Sequence, residues 1–302
     1  MAKETALNLL DRQQWLEPLA DQLQLAVAAL YDQAGAAGQK VKNALHGVWL
    51  GHPLHPVLTD IPVGAWTAAL VMDALHEMTR RTAYARAADA AIAVGLAGAA
   101  GAALAGLTDW QATDGRARRI GLAHALLNGA GALLYAGSLA SRKKQNRTAG
   151  RALSMIGYAV AFGAAYLGGK LVYSEQVGVN HTLGQQLPQS FQPVLPASEL
   201  AEGCIQRVEV DGGRILLARR DGRIFAIAEI CSHMGGPLAE GELGGCRITC
   251  PWHGSTFSLE DGRVINGPAT HPQPCLETRV RDGQIEVRLR RRTEEGRVSS
   301  SI

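Results

Sequence analysis

Two short segments in the last third of the sequence each carry one cysteine and one histidine. The first reads Cys231-Ser-His233-Met-Gly-Gly-Pro237, and the second, nineteen residues further on, reads Cys250-Pro-Trp-His253-Gly-Ser255. Thiolates and imidazoles in this combination bind zinc or an iron–sulfur cluster. In a zinc site all four side chains bind one ion, whereas in a two-iron cluster two of them bind each iron.

The distribution of the four side chains favours an iron–sulfur cluster. A Cys2His2 zinc finger takes two cysteines from one segment and two histidines from a helix, whereas here each segment contributes one of each. A Rieske [2Fe–2S] cluster has two cysteines on one iron and two histidines on the other. We therefore predict that Cys231, His233, Cys250 and His253 bind such a cluster, with the zinc site as the alternative.

Small and rigid residues stand beside the predicted ligands in both segments. Glycine lets backbone N–H groups approach the cysteine sulfurs, and proline restricts the conformations of the loops. We expect a group of neighbouring residues to surround the cluster without binding it: Gly235, Gly236, Pro237, Pro251, Trp252, Gly254, Ser255 and Phe257.

On these motifs, residues 191–290 resemble a Rieske ferredoxin-type domain, which implies an all-β fold and electron transfer. Quinol-oxidising members of that superfamily have a disulfide between the loops, at the positions of Gly236 and Trp252 here. They also have a tyrosine that hydrogen-bonds to sulfur, where this chain has Phe257. Because hydrogen bonds to sulfur raise the reduction potential, the resemblance implies the low-potential ferredoxin and oxygenase-associated branch.

The other cysteines and the charge balance add little to this interpretation. Cys204, Cys246 and Cys275 are expected to be small buried apolar residues. An odd number of five cysteines is not typical of a secreted disulfide framework. With 30 basic and 27 acidic residues and no long basic run, nothing indicates nucleic-acid binding.

Four apolar stretches in the first two thirds of the chain are candidates for membrane helices, which typically need about 20 apolar residues. They are Ile61–Leu75, Ala90–Leu107, Ile120–Ala140 and Ala152–Gly169. Small residues dominate them, which suits close helix packing in lipid. A mean hydropathy of −0.01 for the whole chain keeps a soluble alanine-rich bundle as the alternative.

The sequence before the first apolar stretch contains His52-Pro-Leu-His55-Pro. This motif resembles a bacterial membrane domain of unknown function with four predicted helices, and the resemblance covers about residues 45–179. The resemblance implies the four-helix fold, and the family has no established chemistry that could be transferred to this chain.

These observations predict a multidomain protein, an all-α membrane four-helix bundle followed by an all-β Rieske domain. Residues 1–45 form an amphipathic segment, with a helix over 4–34 that either packs on the bundle or lies on the membrane surface. The membrane domain covers 46–175, a Gly- and Pro-containing linker 176–190, the Rieske domain 191–290, and a disordered tail 291–302.

Ionisable residues at the helix ends suggest a second redox site. With four spans, His52, His55, Asp60, Asp109 and His124 all fall on the side of the membrane that carries the Rieske domain. Ionisable groups in membrane segments are often functional. Helix capping by the same residues is the preferred interpretation, and binding of haem b or a quinone by these side chains is the alternative.

The expected location is the bacterial inner membrane, as a multi-pass protein. The loops facing away from the Rieske domain carry eight basic residues against six on its own side, which weakly favours an external Rieske domain. A folded cluster would require export by the twin-arginine route, and the N-terminus has no such signal. We therefore expect the Rieske domain on the cytoplasmic side.

The preferred function is a membrane-anchored protein that transfers single electrons between a soluble reductase and a membrane-associated partner. A terminal oxygenase would need a 2-His-1-carboxylate iron site on a large domain, and no such domain follows Leu289. The Rieske component of an oxygenase system and a redox sensor coupled to the bundle remain the alternatives.

Overall fold

The computed structural model of the chain describes residue 13 and residues 15–290. The predicted tail 291–302 and the first residues of the predicted N-terminal helix lie outside the described residues. The chain divides into two compact units, with the boundary between Val179 and Asn180. The first unit is helical and the second is built from β-strands.

Six helices make up the described part of the first unit. They are α1 (Leu16–Gln33), α2 (Gly35–His46), α3 (Leu54–Thr79), α4 (Thr82–Trp110), α5 (Gly115–Lys143) and α6 (Arg147–Tyr173). The last four are long and apolar enough to cross a membrane. They contain the four predicted apolar stretches and extend them by several residues at each end, because polar residues at the ends continue the helix.

The four long helices pack as two hairpins, α3 with α4 and α5 with α6. Glycines in α4 and α6 let the helices approach closely. A Cβ on Gly95 would lie 2.2 Å from Nε1 of Trp66, and a Cβ on Gly157 would lie 3.2 Å from the ring of Tyr135. Small residues therefore make room for the large aromatic side chains inside the bundle, as the composition predicts.

The described part of the N-terminal segment contains two helices. The first, α1, lies within the predicted helix over 4–34 and ends at Gln33, and a second helix that the sequence analysis did not separate, α2, begins at Gly35, which has a φ of +52°. Leu16 and Ala20 of α1 are buried against Trp110 and Leu122. This contact supports the packing interpretation of the segment.

Two antiparallel sheets form the second unit. The six-stranded sheet has the order β1-β10-β9-β4-β3-β2 and the four-stranded sheet the order β5-β6-β7-β8. The strands are β1 (Gln192–Pro196), β2 (Ile205–Val210), β3 (Gly213–Arg220), β4 (Arg223–Ala228), β5 (Glu242–Leu243), β6 (Arg247–Thr249), β7 (Thr256–Ser258), β8 (Val264–Asn266), β9 (Cys275–Arg281) and β10 (Gln284–Leu289). A short 3-10 helix covers Leu238–Glu240.

Tight turns join the long strands where the sequence has Asp-Gly pairs. Asp221 and Gly222, between β3 and β4, have φ values of +52° and +71°, and the pairs at 211–212 and 282–283 are similar. Both positions with positive φ are required in a type I′ hairpin turn, for which Asp-Gly is a preferred pair. The three Asp-Gly pairs in the sequence are therefore a local signal for these hairpin turns.

The predicted linker is in part a component of the second unit. The amide of His181 donates to the carbonyl of Ser232 at 3.1 Å, and the amide of Leu289 donates to the carbonyl of Pro188 at 2.6 Å. Leu187 is buried in the apolar core on one face of the large sheet. Residues 180–190 are therefore held by backbone hydrogen bonds and core packing.

Candidate metal centre

The two loops that carry the predicted ligands close with the same hydrogen bonds. In each, the cysteine amide donates to the carbonyl five residues on, and the amide four residues on donates back to the cysteine carbonyl. The distances are 2.8 and 2.9 Å in the loop of Cys231, and 2.8 and 3.1 Å in the loop of Cys250. The fourth residue is Gly235 or Gly254, with φ values of +78° and +75°, so both loops need glycine there.

The thiols of Cys231 and Cys250 are buried side by side, with exposed fractions of 1% and 3%. The hydrogen bond with Cys250, together with burial, raises the pKa of the Cys231 thiol, and the same bond lowers the pKa of Cys250 to about 7. The amides of the second and third residues after each cysteine also donate to its sulfur. Such donors stabilise negative charge on sulfur.

The two imidazoles form a second pair, nearer the surface. The rings of His233 and His253 have their centroids 5.0 Å apart and are nearly perpendicular. Both side chains are half-buried, and Nδ1 of His233 is shielded from solvent. Among the described residues, no three His, Cys, Asp or Glu side chains converge on a single ion position. A pair of buried thiols and a pair of imidazoles nearer the surface match the requirement of a cluster that has two protein ligands on each iron.

Comparison with known proteins agrees with this geometry. The Rieske [2Fe–2S] domain profile matches residues 190–278. Ferredoxin CarAc of Metapseudomonas resinovorans is 34% identical over 100 residues, which are 33% of this chain and 94% of the relative. The chain belongs to the Rieske [2Fe–2S] family. The family and its ferredoxin relatives indicate a [2Fe–2S] cluster as the cofactor.

Further comparisons match the Rieske region or the helical region of this chain. Apoptosis-inducing factor 3 of Mus musculus is 29% identical over 108 residues, and the chain spans only 18% of that protein. A solved complex of the oxygenase and ferredoxin of carbazole 1,9a-dioxygenase has a chain that is 32% identical, with 33% of this chain and 94% of that chain covered and a TM-score of 0.32. Residues 51–181 match a predicted membrane protein family, DUF2231.

In this Rieske domain, packing takes the place of the disulfide between the loops. A Cβ on Gly236 would lie 2.9 Å from Sγ of Cys250 and 3.0 Å from the ring of Trp252. The two positions at which the quinol-oxidising members have cysteines are therefore in contact here, with the indole of Trp252 against the backbone of Gly236. The indole is itself 56% exposed.

The other expected neighbours of the cluster lie around the same loops. Phe257 is fully buried, in the apolar cluster that includes Cys231 and Cys250. Pro237 forms an isolated bridge with Ile230 at the end of the first loop, whereas Pro251 is exposed. The hydroxyl oxygen of Ser255 accepts a hydrogen bond from the amide of Ala269 at 3.0 Å.

Two features beside the first loop have no counterpart in the sequence predictions. Glu229, two residues before Cys231, is fully buried and pairs with Arg207 at 2.7 Å and with Arg214 at 3.7 Å. A charged residue directly after an apolar strand is the signal that could have drawn attention to it. His181 is the second feature, since its Nδ1 lies 3.9 Å from where a Cβ of Gly235 would be.

One expectation for the remaining cysteines is wrong. Cys204 is exposed, and Cys246 and Cys275 are only half-buried at the edge of the apolar cluster. Cys204 lies in the turn before β2, where its amide donates to the carbonyl of Ala201 at 3.2 Å. The turn, not the neighbouring strand, sets its exposure.

Only two of the five residues proposed for a second redox site come together in the first unit. The ring centroids of His55 and His124 are 6.2 Å apart, with the rings nearly perpendicular. His52 and Asp60 are exposed, and Nδ1 of His52 lies 3.1 Å from the carbonyl oxygen of its neighbour, Pro53. Their place in that group is therefore not supported by the structure.

Asp109 has a different histidine as its partner. Its carboxylate lies 2.7 Å from Nδ1 of His46, which is fully buried at the end of α2. The sequence analysis did not single out His46, because it stands alone in a polar helix. Asp109 therefore joins α2 to α4 and does not contact the pair of His55 and His124.

Proposed function

We propose that this protein is a membrane-anchored Rieske electron carrier, which passes single electrons between a soluble reductase and a partner in or at the membrane. The observation that carries the proposal is the combination within one chain of a Rieske domain similar to almost the whole length of a ferredoxin and four helices suited to membrane spans.

We assign the cluster ligands as Cys231, His233, Cys250 and His253. The cluster supplies one-electron redox chemistry when it is bound. The chain's own residues hold the sulfur side in the apolar interior and leave the imidazoles half-exposed beside the exposed ring of Trp252. Because electron transfer requires a close approach, we expect redox partners to bind at this imidazole surface.

The similarity to dioxygenase ferredoxins favours an oxygenase as one class of acceptor. CarAc is named as a ferredoxin, and a further relative is the ferredoxin component of a naphthalene 1,2-dioxygenase system. In this version of the proposal, the protein delivers electrons to a terminal oxygenase at the membrane. A quinone-linked or haem-containing acceptor is the competing version.

A reduction assay in native membranes tests the electron-carrier proposal. Membranes that contain the protein receive NADH and a soluble flavin reductase, and EPR follows the reduced Rieske signal. We expect rapid reduction, followed by reoxidation on addition of the correct acceptor. The proposal fails if the cluster is present but no reductase reduces it, or if the full-length protein is released from membranes by high salt or carbonate.

The proposed location is the bacterial inner membrane, with the Rieske domain in the cytoplasm. The exposed thiol of Cys204 offers a direct test with a membrane-impermeant maleimide. We expect no labelling in intact spheroplasts and full labelling after permeabilisation, with the Cys204→Ser variant as the background. Labelling in intact spheroplasts would place the Rieske domain outside.

A further inference from the structure

The two helical hairpins of the first unit are related by an internal repeat. Each position in α3 is equivalent to the position 69 residues later in α5, and each position in α4 is equivalent to the position 62 residues later in α6. At three recurring positions the equivalent side chains of α3 and α5 contact each other: His55 with His124, Trp66 with Tyr135, and Asp73 with Arg142. Equivalent residues can touch only near the axis that relates the two hairpins, so these three pairs mark a pseudo-twofold axis.

The second helix of each hairpin supports its histidine in the same way. Nδ1 of His55 lies 2.8 Å from the carbonyl oxygen of Ala102, and Nδ1 of His124 lies 2.8 Å from that of Ala164. Ala102 and Ala164 are equivalent positions in the repeat. The two imidazoles are thus oriented independently, each by its own hairpin.

Glycines one turn further along these helices press against the two rings. A Cβ on Gly106 would lie 2.8 Å from the ring of His55, and a Cβ on Gly168 would lie 3.1 Å from the ring of His124. These two glycines are also equivalent in the repeat. Both rings are therefore held by the helix backbone as well as by the hydrogen bond.

These hydrogen bonds fix the tautomer of both histidines. A carbonyl oxygen can only accept, so Nδ1 carries the proton and Nε2 carries the lone pair on each ring. The Nδ2 atom of Asn128 lies 3.1 Å from Nε2 of His124, so the Asn128 amide donates to this lone pair and has to rotate away when Nε2 binds a metal. Metal-binding histidines are commonly oriented in this manner, with one ring nitrogen on a carbonyl group and the other on the metal.

The number of available ligands selects the kind of metal. No third His, Cys, Asp or Glu joins the pair within the described chain, whereas zinc and copper sites usually need three or four protein ligands. Haem supplies four nitrogens itself and needs only axial ligands from the protein. The ring centroids of His55 and His124 are 6.2 Å apart, which leaves room for one metal ion between two imidazoles when metal–nitrogen distances are about 2 Å.

We propose that His55 and His124 are the two axial ligands of a single haem b, bound at the pseudo-twofold axis of the membrane unit. Sites built from facing helices are a common feature of four-helix bundles. With both axial positions filled by imidazole, the iron is low-spin and has no open position for carbon monoxide. This proposal stands independently of the partners proposed for the Rieske domain.

The test uses the full-length protein in detergent, expressed with haem precursor and titrated with haemin. We expect a pyridine haemochrome of haem b and a low-spin optical spectrum that carbon monoxide does not change. His55→Ala and His124→Ala should each lose this spectrum. His52→Ala is the matched control, because His52 is exposed in the same motif, and it should retain the spectrum.

Two further measurements separate ligand loss from misfolding. The Rieske EPR signal should persist in every variant, and added imidazole should restore the low-spin spectrum of His124→Gly. The proposal is overturned if the wild-type protein binds no haem, if both histidine variants keep the wild-type spectrum, or if extraction yields a quinone in place of haem.

Discussion

The reduction potential of a Rieske cluster depends on the groups around its sulfurs. Here the ring of Phe257 is buried in the same apolar core as Cys231 and Cys250, and it cannot donate a hydrogen bond. Backbone amides are the donors to both cysteine sulfurs. At the scale of single residues, the potential is therefore set mainly by the loop backbone, and a side-chain donor at position 257 should change it.

Phe257→Tyr should raise the midpoint potential, which we expect in the lower part of the Rieske range of about −150 to +300 mV. A new hydrogen bond to sulfur stabilises the reduced, more negative state. A shift of roughly 60 mV corresponds to a tenfold change in the equilibrium constant of a one-electron reduction. Redox titration followed by EPR measures it. Phe191→Tyr, whose ring lies against Arg279 and outside that apolar cluster, is the control and should leave the potential unchanged.

Gly236→Ala should destabilise the Rieske domain, because the new Cβ would lie 2.9 Å from Sγ of Cys250. Overpacking of this kind typically costs about 1–3 kcal/mol. Thermal unfolding and iron content measure the effect. Gly244→Ala is the control, since a Cβ there meets nothing within 4 Å. Equal stability of the two variants would show that the loops are not packed as described.

The sequence was sufficient to predict the Rieske domain but not the surroundings of its two Cys- and His-containing loops. Cysteine and histidine spacing is local, so the two loops were recognisable at once. Glu229 and His181 reach the first loop through strand pairing and through the path of residues 180–190. Contacts of that kind depend on the tertiary fold, and no short motif encodes them.

At the scale of secondary structure elements, charges inside the helical unit are paired. Arg142 is fully buried and binds Asp73, with Asp89 at 3.2 Å. Asp73→Asn should destabilise the bundle by about 3–5 kcal/mol, because it leaves a buried charge with too few partners. Thermal unfolding in detergent measures the loss. Glu77→Gln, whose carboxylate is 46% exposed, should change stability by less than about 0.5 kcal/mol.

The segment before β1 should contribute to the stability of the isolated Rieske domain. A fragment of residues 180–290 keeps Leu187 in the core, whereas a fragment of residues 191–290 loses it. Burial of one leucine side chain contributes about 1.5–3 kcal/mol. Both fragments should assemble the cluster, and denaturant unfolding should show the shorter one to be less stable by at least this amount. Equal stabilities would mean that residues 180–190 act only as a linker.

Elements with a strong local pattern were predicted well, and those without one were missed. β2 and the Asp-Gly turns have clear signals in the sequence, because alternation and turn residues lie within a few positions of one another. The four-stranded sheet was missed, since its strands are only two or three residues long. Such strands are formed by the loops that they connect, and they carry no periodicity of their own.

At the scale of the whole molecule, an internal repeat in the membrane unit accompanies the Rieske domain. The repeat was not recognised from the sequence because few positions of α3 and α5 carry the same residue, with tryptophan opposite tyrosine and aspartate opposite arginine. The fold shows that these equivalent positions contact each other. The histidine that both hairpins place at the axis, His55 in one and His124 in the other, is the reason to expect a bound redox group there.

The central claim is that the full-length protein holds one Rieske cluster through two cysteines and two histidines. Iron and sulfide analysis combined with EPR of the dithionite-reduced, detergent-purified protein tests it most directly. We predict about two irons and two sulfides per chain with a Rieske-type signal, which His233→Cys and Cys250→Ser both abolish. A preparation that contains one zinc per chain and no sulfide would contradict the account.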